Sequence, residues 1–262
     1  MTAALVRTGA PHRPLPRTPR PDVPGSRARD WAEIQERMLV PLYEAVYERL
    51  EVDAGTRLLG LDCGSGLALL LAARRGAAVT GLDGDPPRLA LARARLTAGL
   101  RYEHSLPGGE LPGVPARPFT LITSFERPRA RALAGAAAVA ERGSPVVLAE
   151  RCATAPVLRL GDPGPAWLPP GGDDLEDVAR AAGLRPAGAG RVACPFGYAD
   201  PDSAVRGLLS TGYFDGALRA LDEARVTKEL TEALHPYRRT DGTVWMPNVL
   251  RYLIAYVQDP RG

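Results

Sequence analysis

Residues 57–66, RLLGLDCGSG, and residues 78–83, AVTGLD, constrain this chain more than any other stretch. An apolar strand runs into a glycine-rich turn, a helix follows, and a second apolar strand ends on a single carboxylate, Asp83. A strand–turn–helix–strand unit of this kind builds a shallow nucleoside site at the carboxyl ends of its strands. Gly64 and Gly66 let a ligand come close to the backbone, and a carboxylate at the strand tip can accept hydrogen bonds from two ribose hydroxyls. Asp83 also has a plainer reading as a turn carboxylate or helix cap before Pro86, a task that Asp85 can perform equally.

The same residues disfavour two rivals. A dinucleotide site needs G-x-G-x-x-G, whose third glycine allows tight helix–strand packing. Leu69 stands at that third position here. A phosphate-binding loop needs a Lys-Ser/Thr pair, which the turn lacks.

Further strands are expected at 100–103, 119–124, 145–149, 191–196 and 249–257, after those at 57–61 and 78–82. Helices are expected from Gly64, from Pro86 or Pro87, over 128–141 and 172–183, and two or three more over 200–236. Alternating strands and helices make a mostly parallel, doubly wound α/β sheet, and the two late strands make a hairpin-like edge. Residues 1–28 are rich in proline and arginine and read as a flexible tail. Residues 29–262 then form one domain, with a helical lid over 29–52 and a helical insert over 197–244. In the lid, Trp31, Ile34, Met38, Leu39, Leu42, Tyr43, Val46, Tyr47 and Leu50 recur at helical spacing. Asp30 is the expected N-cap, and Pro41 is expected to break or kink the stretch, giving a helix pair.

A net charge of +3, carried largely by the tail, argues against nucleic acid as the main partner. The three cysteines, Cys63, Cys152 and Cys194, are widely spaced and suggest neither disulfides nor a metal site, in keeping with a reducing cytoplasm. The longest apolar run, 67–73, is too short for a bilayer. The expected partner is a small molecule, with no nucleic acid and no membrane, and the expected assembly is a monomer or homodimer.

From about residue 30 onward the chain resembles the class I S-adenosylmethionine-dependent methyltransferases. Within them it is most similar to small-molecule enzymes of the ubiquinone/menaquinone type, common in actinobacterial secondary metabolism. The segments GLDCGSGLALLLAARRGAAVTGLD, WAEIQERMLVPLYEAV and ACPFGYADPDSAVRGLL carry the likeness. The resemblance implies a Rossmann-like sheet of seven strands, the last antiparallel and beside the fifth. It implies S-adenosylmethionine as cofactor, S-adenosylhomocysteine as product, and Asp62, Cys63, Gly64, Gly66, Asp83, Gly84, His104 and Ser105 around them. The family pattern acidic-x-Gly-x-Gly-x-Gly is altered: Gly60 replaces the acid, and Asp62 replaces the first glycine. Positions 60 and 62 share one face of a strand. Asp62 can therefore hold the cofactor's amino group, cap turn amides, or fill the space that the cofactor needs. After the third strand, where the family often places an acid against adenine, the chain offers His104 or, one residue earlier, Glu103; a surface loop histidine is the plainer reading.

Candidates for an acceptor-side base are His104, Glu126, Glu150 and His235, with a surface ion pair to Arg127 or Arg129 as the competing reading of Glu126. Tyr43, Phe196, Tyr213 and Trp245 are the expected substrate contacts. Trp31 and Tyr43 can pack on the cofactor or within the core. The leading expectation is a methyltransferase for a small natural product. The alternatives are an enzyme of the same fold that catalyses cyclisation or rearrangement without methyl transfer, and a non-catalytic partner subunit.

Overall fold

In the computed structural model, which describes residues 25–95, 101–104, 117–126, 128–150 and 175–258, the chain opens on a long helical segment of mixed pitch. It runs as α1 (Ser26–Asp30), a π-helical turn (Trp31–Gln35), a 3₁₀ turn (Glu36–Leu39) and α2 (Val40–Arg49). Gly25, at φ +80°, is the N-cap. Asp30 is helical and lies 3.6 Å from Arg206, so the expected cap at Asp30 is corrected, and residues 25–28, read with the tail, belong to the helical segment. Pro41 lies in the first turn of α2, a position that accommodates its ring and its missing N–H. The helix changes pitch before Pro41 instead of separating into a pair.

The alternating part follows. It comprises β1 (Arg57–Leu61), α3 (Leu67–Arg74), β2 (Ala78–Asp83), α4 (Pro86–Arg95), β3 (Arg101–His104), β4 (Leu121–Ser124), α5 (Ala130–Ala137), β5 (Pro145–Glu150) and α6 (Leu175–Ala181). Next come β6 (Leu184–Ala193), a short β7 (Phe196–Tyr198), α7 (Pro201–Ser210), α8 (Asp215–Ala220), α9 (Glu223–Ala233), β8 (Val244–Met246) and β9 (Val249–Val257). Seven strands form the main sheet in the order β3-β2-β1-β4-β5-β9-β6. The first five are parallel, and β9 runs antiparallel between β5 and β6. This is the doubly wound, Rossmann-like methyltransferase arrangement expected from the sequence. The sixth strand is a correction, since it starts at Leu184 and not near residue 191. β7 and β8 pair into a separate two-stranded ribbon that closes the base of the helical insert.

Alternate residues of the strands face opposite layers. Leu58 and Val147 join α2, α3 and the insert in one apolar cluster. Leu59, Ile122, Val146 and Leu148 join α5 and α6 in the other. Gly60 lies on the α3 side, where a Cβ would come within 2.8 Å of Leu69 Cδ2. Close strand–helix packing thus uses a glycine on the strand and a leucine on the helix, which explains how Leu69 is tolerated at the third motif position. Among the described residues no helix is long and apolar enough to cross a membrane, and no group of three or more His, Cys, Asp or Glu could hold a metal ion.

Candidate functional site

The first crossover of the sheet, where β1 lies between β2 and β4, opens at the carboxyl ends of those strands. The sequence between β1 and α3 is built to turn there. Asp62, Gly64 and Gly66 adopt positive φ values of +48°, +59° and +81°. For the glycines this conformation is free of steric cost, whereas for Asp62 it costs about 1 kcal/mol. The Asp62 carboxylate accepts a hydrogen bond from Arg129 Nη2 at 2.9 Å. Cys63 is buried and donates its backbone N–H to Leu82 O at 2.9 Å, and burial pushes its thiol pKa well up, so it is a packing residue with little thiolate character.

Asp83 ends β2 and is buried. Its Oδ2 accepts from Gly64 N–H at 2.7 Å, and its Oδ1 accepts from Asp85 N–H at 2.8 Å. Desolvation outweighs these bonds and raises its pKa from 3.8 to about 6. Asp85 accepts from Arg88 N–H at 3.2 Å and so caps α4. The two carboxylates that the sequence left interchangeable therefore divide the work: Asp83 ties the glycine turn to β2, and Asp85 starts the next helix. Gly84 has open space where a Cβ would be. His104 pairs in register with Asp83, which places it level with Asp83 at the edge of the sheet, with Glu103 one step back opposite Leu82. Ser105 and Arg127 lie outside the described residues. Glu150 ends β5, opposite Arg251 of β9.

The space above the turn is filled from within. A Cβ at Gly64 would lie 2.7 Å from Trp31 Nε1, 3.0 Å from Glu36 Oε1 and 3.2 Å from Glu126 Oε1. Trp31 is fully buried, with the Arg88 guanidinium 4.5 Å from its ring centre. Arg88 also donates to Ser210 O at 2.7 Å and to Glu126 Oε2 at 3.4 Å. The ion pair expected between Glu126 and Arg127 or Arg129 at the surface is thus a buried one with Arg88. Glu36 Oε1 accepts from Ser65 N–H at 3.1 Å and Leu67 N–H at 3.4 Å, and its Oε2 accepts from the Ser65 hydroxyl and from Arg95. Arg95 is tied in turn to Ala32 O at 2.8 Å. Burial raises the Glu36 pKa, against the lowering effects of Ser65 and Arg95.

The chemistry of this donor set suits an adenosyl amino acid. Ser65 N–H, Leu67 N–H, the Ser65 hydroxyl and Arg95 are donors for a carboxylate, and Asp83 is an acceptor beside Gly64. The volume does not suit it in this conformation, because Trp31, Glu36 and Glu126 occupy the approach to Gly64. Sequence reasoning left filling the recess as one of three roles open to Asp62, but the side chains against Gly64 are these three. It also missed Glu36, Arg88 and Arg95, whose signal was limited to charges inside otherwise apolar helical stretches.

The expected substrate contacts do not converge. Tyr43 is buried against Phe125, with ring centres 4.9 Å apart. Phe196 is also in the core, Tyr213 is partly buried at its edge, and Trp245 is 39% exposed with Arg239 stacked 4.6 Å from its ring centre. Tyr43 packs within the core, and Trp31 is buried above the glycine turn. His235 lines a separate cleft of about 530 Å³ on the insert, together with Pro201, Glu232, Arg238 and Val244.

No protein-family model matches the chain, and no curated protein matches its sequence. Solved structures do match its fold. The [4+2]-cyclase SpnF is 19% identical, with a TM-score of 0.51 over 83% of this chain and 80% of its own. The YcgJ protein of Bacillus subtilis is 16% identical, with a TM-score of 0.56 over 83% and 98%. A SAM-dependent methyltransferase of Aquifex aeolicus is 14% identical, with a TM-score of 0.51 over 64% and 92%. At these identities the likeness defines the class of fold, that of the class I methyltransferases, which here includes both a methyl-transferring enzyme and a cyclase.

Proposed function

We propose that the protein is an S-adenosylmethionine-dependent methyltransferase whose acceptor is a small molecule of natural-product type. The observation that carries this reading is Asp83, buried at the tip of β2 and bonded to Gly64 N–H, beside a cradle of N–H, hydroxyl and guanidinium donors at Ser65, Leu67 and Arg95. Asp83 would accept from the ribose hydroxyls, and the cradle would hold the amino-acid carboxylate. When bound, the cofactor supplies an electrophilic methyl group. The chain's own contribution is alignment and exclusion of water from the strand ends. Glu126 also faces Gly64, but its pairing with Arg88 assigns it first to holding the site together.

Calorimetric titration with S-adenosylmethionine and S-adenosylhomocysteine tests the reading. The expected result is micromolar binding of both, weakened at least about tenfold in Asp83→Ala, the loss of roughly one charge-assisted hydrogen bond. Absence of binding by the folded protein at millimolar ligand would overturn it. A second reading is favoured by the filled approach to Gly64 and by the fold shared with a [4+2]-cyclase: an enzyme that promotes cyclisation or rearrangement without methyl transfer. Cofactor binding without methylation of any offered acceptor would support it over the first.

A further inference from the structure

The turn from Trp31 to Glu36 carries, on two side chains, the pair of groups that an adenosyl amino acid carries: a flat heterocycle and a carboxylate. Both lie against Gly64. The Glu36 carboxylate takes every donor that the site offers to a carboxylate, namely Ser65 N–H, Leu67 N–H, the Ser65 hydroxyl and Arg95. A buried carboxylate is costly even when paired, and its retention here fills a seat that Val or Leu would fill at lower desolvation cost.

The backbone of this turn departs from a regular α-helix. Residues 31–35 are π-helical and residues 36–39 are 3₁₀, between two α-helical stretches. Both pitches bond less favourably than the α-helix and mark places where a helix can rewind. On the amino-terminal side the segment is tethered by α1, only five residues long, through Arg27 to Leu209 O and Asp215 and through Asp30 to Arg206. The two ion pairs among these tethers are partly exposed, each of small net strength. On the carboxyl-terminal side α2 is anchored firmly, with Leu42, Val46 and Tyr47 fully buried and Tyr47 Oη donating to Ala68 O at 3.1 Å. The stretch is fixed at the α2 end and held by exposed pairs at the α1 end. Between them the turn is kept in place by Arg88 over Trp31, Arg95 on Ala32 O and Tyr198 Oη on Gln35 Oε1, contacts that open together when it leaves.

We propose that the Trp31–Glu36 turn is an internal occupant of the cofactor cleft, with the Glu36 carboxylate in the seat of the ligand's carboxylate, so that an adenosyl ligand enters only as this turn leaves. The inference rests on the cofactor reading above and adds to it a self-competition that lowers apparent affinity by the fraction of molecules in the open form. Two measurements on the full chain test it, with S-adenosylhomocysteine as the probe. In hydrogen exchange, amides of residues 31–39 should lose protection when the probe is added, although a bound ligand ordinarily increases protection. In calorimetry, Glu36→Gln should bind the probe about tenfold more tightly than the wild type, because the competing charge is gone. If Glu36→Gln does not fold, Trp31→Phe thins the same occupant and carries the same expectation. Probe binding without both changes would overturn the inference and leave the cofactor reading intact. No probe binding by either folded protein would overturn both.

Discussion

On the sheet face covered by α5 and α6, Leu59, Ile122, Val146 and Leu148 meet Leu133, Ala136, Leu175 and Val178 in an apolar layer. On the face covered by α2, α3 and the insert, the layer is apolar at its centre, but Trp31, Glu36, Arg88 and Glu126 fill it at the carboxyl ends of the strands. Both are buried. The first is specified by volume, because apolar groups attract without direction. The second is specified by pairing, because each charge stays buried only while its partner is present. Only the second kind of filling can be exchanged for a polar ligand, since the donors and acceptors it uses persist when the filling leaves. The contrast supports the candidate site at this end of the sheet without reference to any relative.

The contrast can be broken or sharpened by substitution. The largest effect is expected on the paired side. Arg88→Ala should cost about 3–5 kcal/mol in urea unfolding, because it strands Glu126 beside Asp83 in a dry site. The double replacement Arg88→Met with Glu126→Leu should recover most of that loss, and failure to recover it would show that the pair is held by shape and not by charge. On the apolar side Leu148→Ala should cost about 3 kcal/mol, through lost transfer energy and a cavity, with no partner change able to restore it.

A smaller and pH-dependent effect is expected at Asp83. Its folded-state pKa of about 6 lies above the ordinary 3.8, so the protonated form favours the fold. That contribution is complete below the ordinary value and is lost as the pH climbs through about 6. The stability of the wild type relative to Asp83→Asn should therefore fall by on the order of 1–3 kcal/mol from about pH 4 to about pH 7. A flat difference in thermal unfolding across that range would contradict the burial described here. The smallest effect belongs to the exposed pair at the rim: Arg129→Ala, which releases Asp62, should change stability by less than about 0.5 kcal/mol.

Much of the frame was legible because its signals are local. Apolar runs at 57–61 and 78–83, divided by Gly64 and Gly66, admit few structures other than a strand, a turn and a strand. The start of β6 was not legible, for a reason that lies elsewhere in the chain. Residues 184–190, LRPAGAG, have poor strand propensity, and Pro186 suits only an edge strand. They are extended because β9 holds them, with a register shift between Pro186 and Gly188 and with Gly190 leaving room for the ring of Tyr252, which a Cβ would approach to 2.4 Å. The ribbon of β7 and β8, three residues each, is too short for any periodic signal.

At the site, Asp83 and the glycines were readable because a turn of that kind needs them. Glu36 was not, because its burial depends on the π-helical turn that precedes it. Five residues in that turn rotate the following side chains relative to a regular helix, which brings a carboxylate round to Ser65. The dispersal of Tyr43, Phe196, Tyr213 and Trp245 has a similar cause: aromatic residues on helices and strands are spent first on the core.

The position of β9 has a consequence for how the protein is made. Among the described strands of the main sheet β6 is hydrogen-bonded to β9 alone, so Leu184–Ala193 gains its partner only once Val249–Val257 has been synthesised. Seating β9 between β5 and β6 joins segments far apart in the chain, and pairings of that kind raise contact order and slow folding.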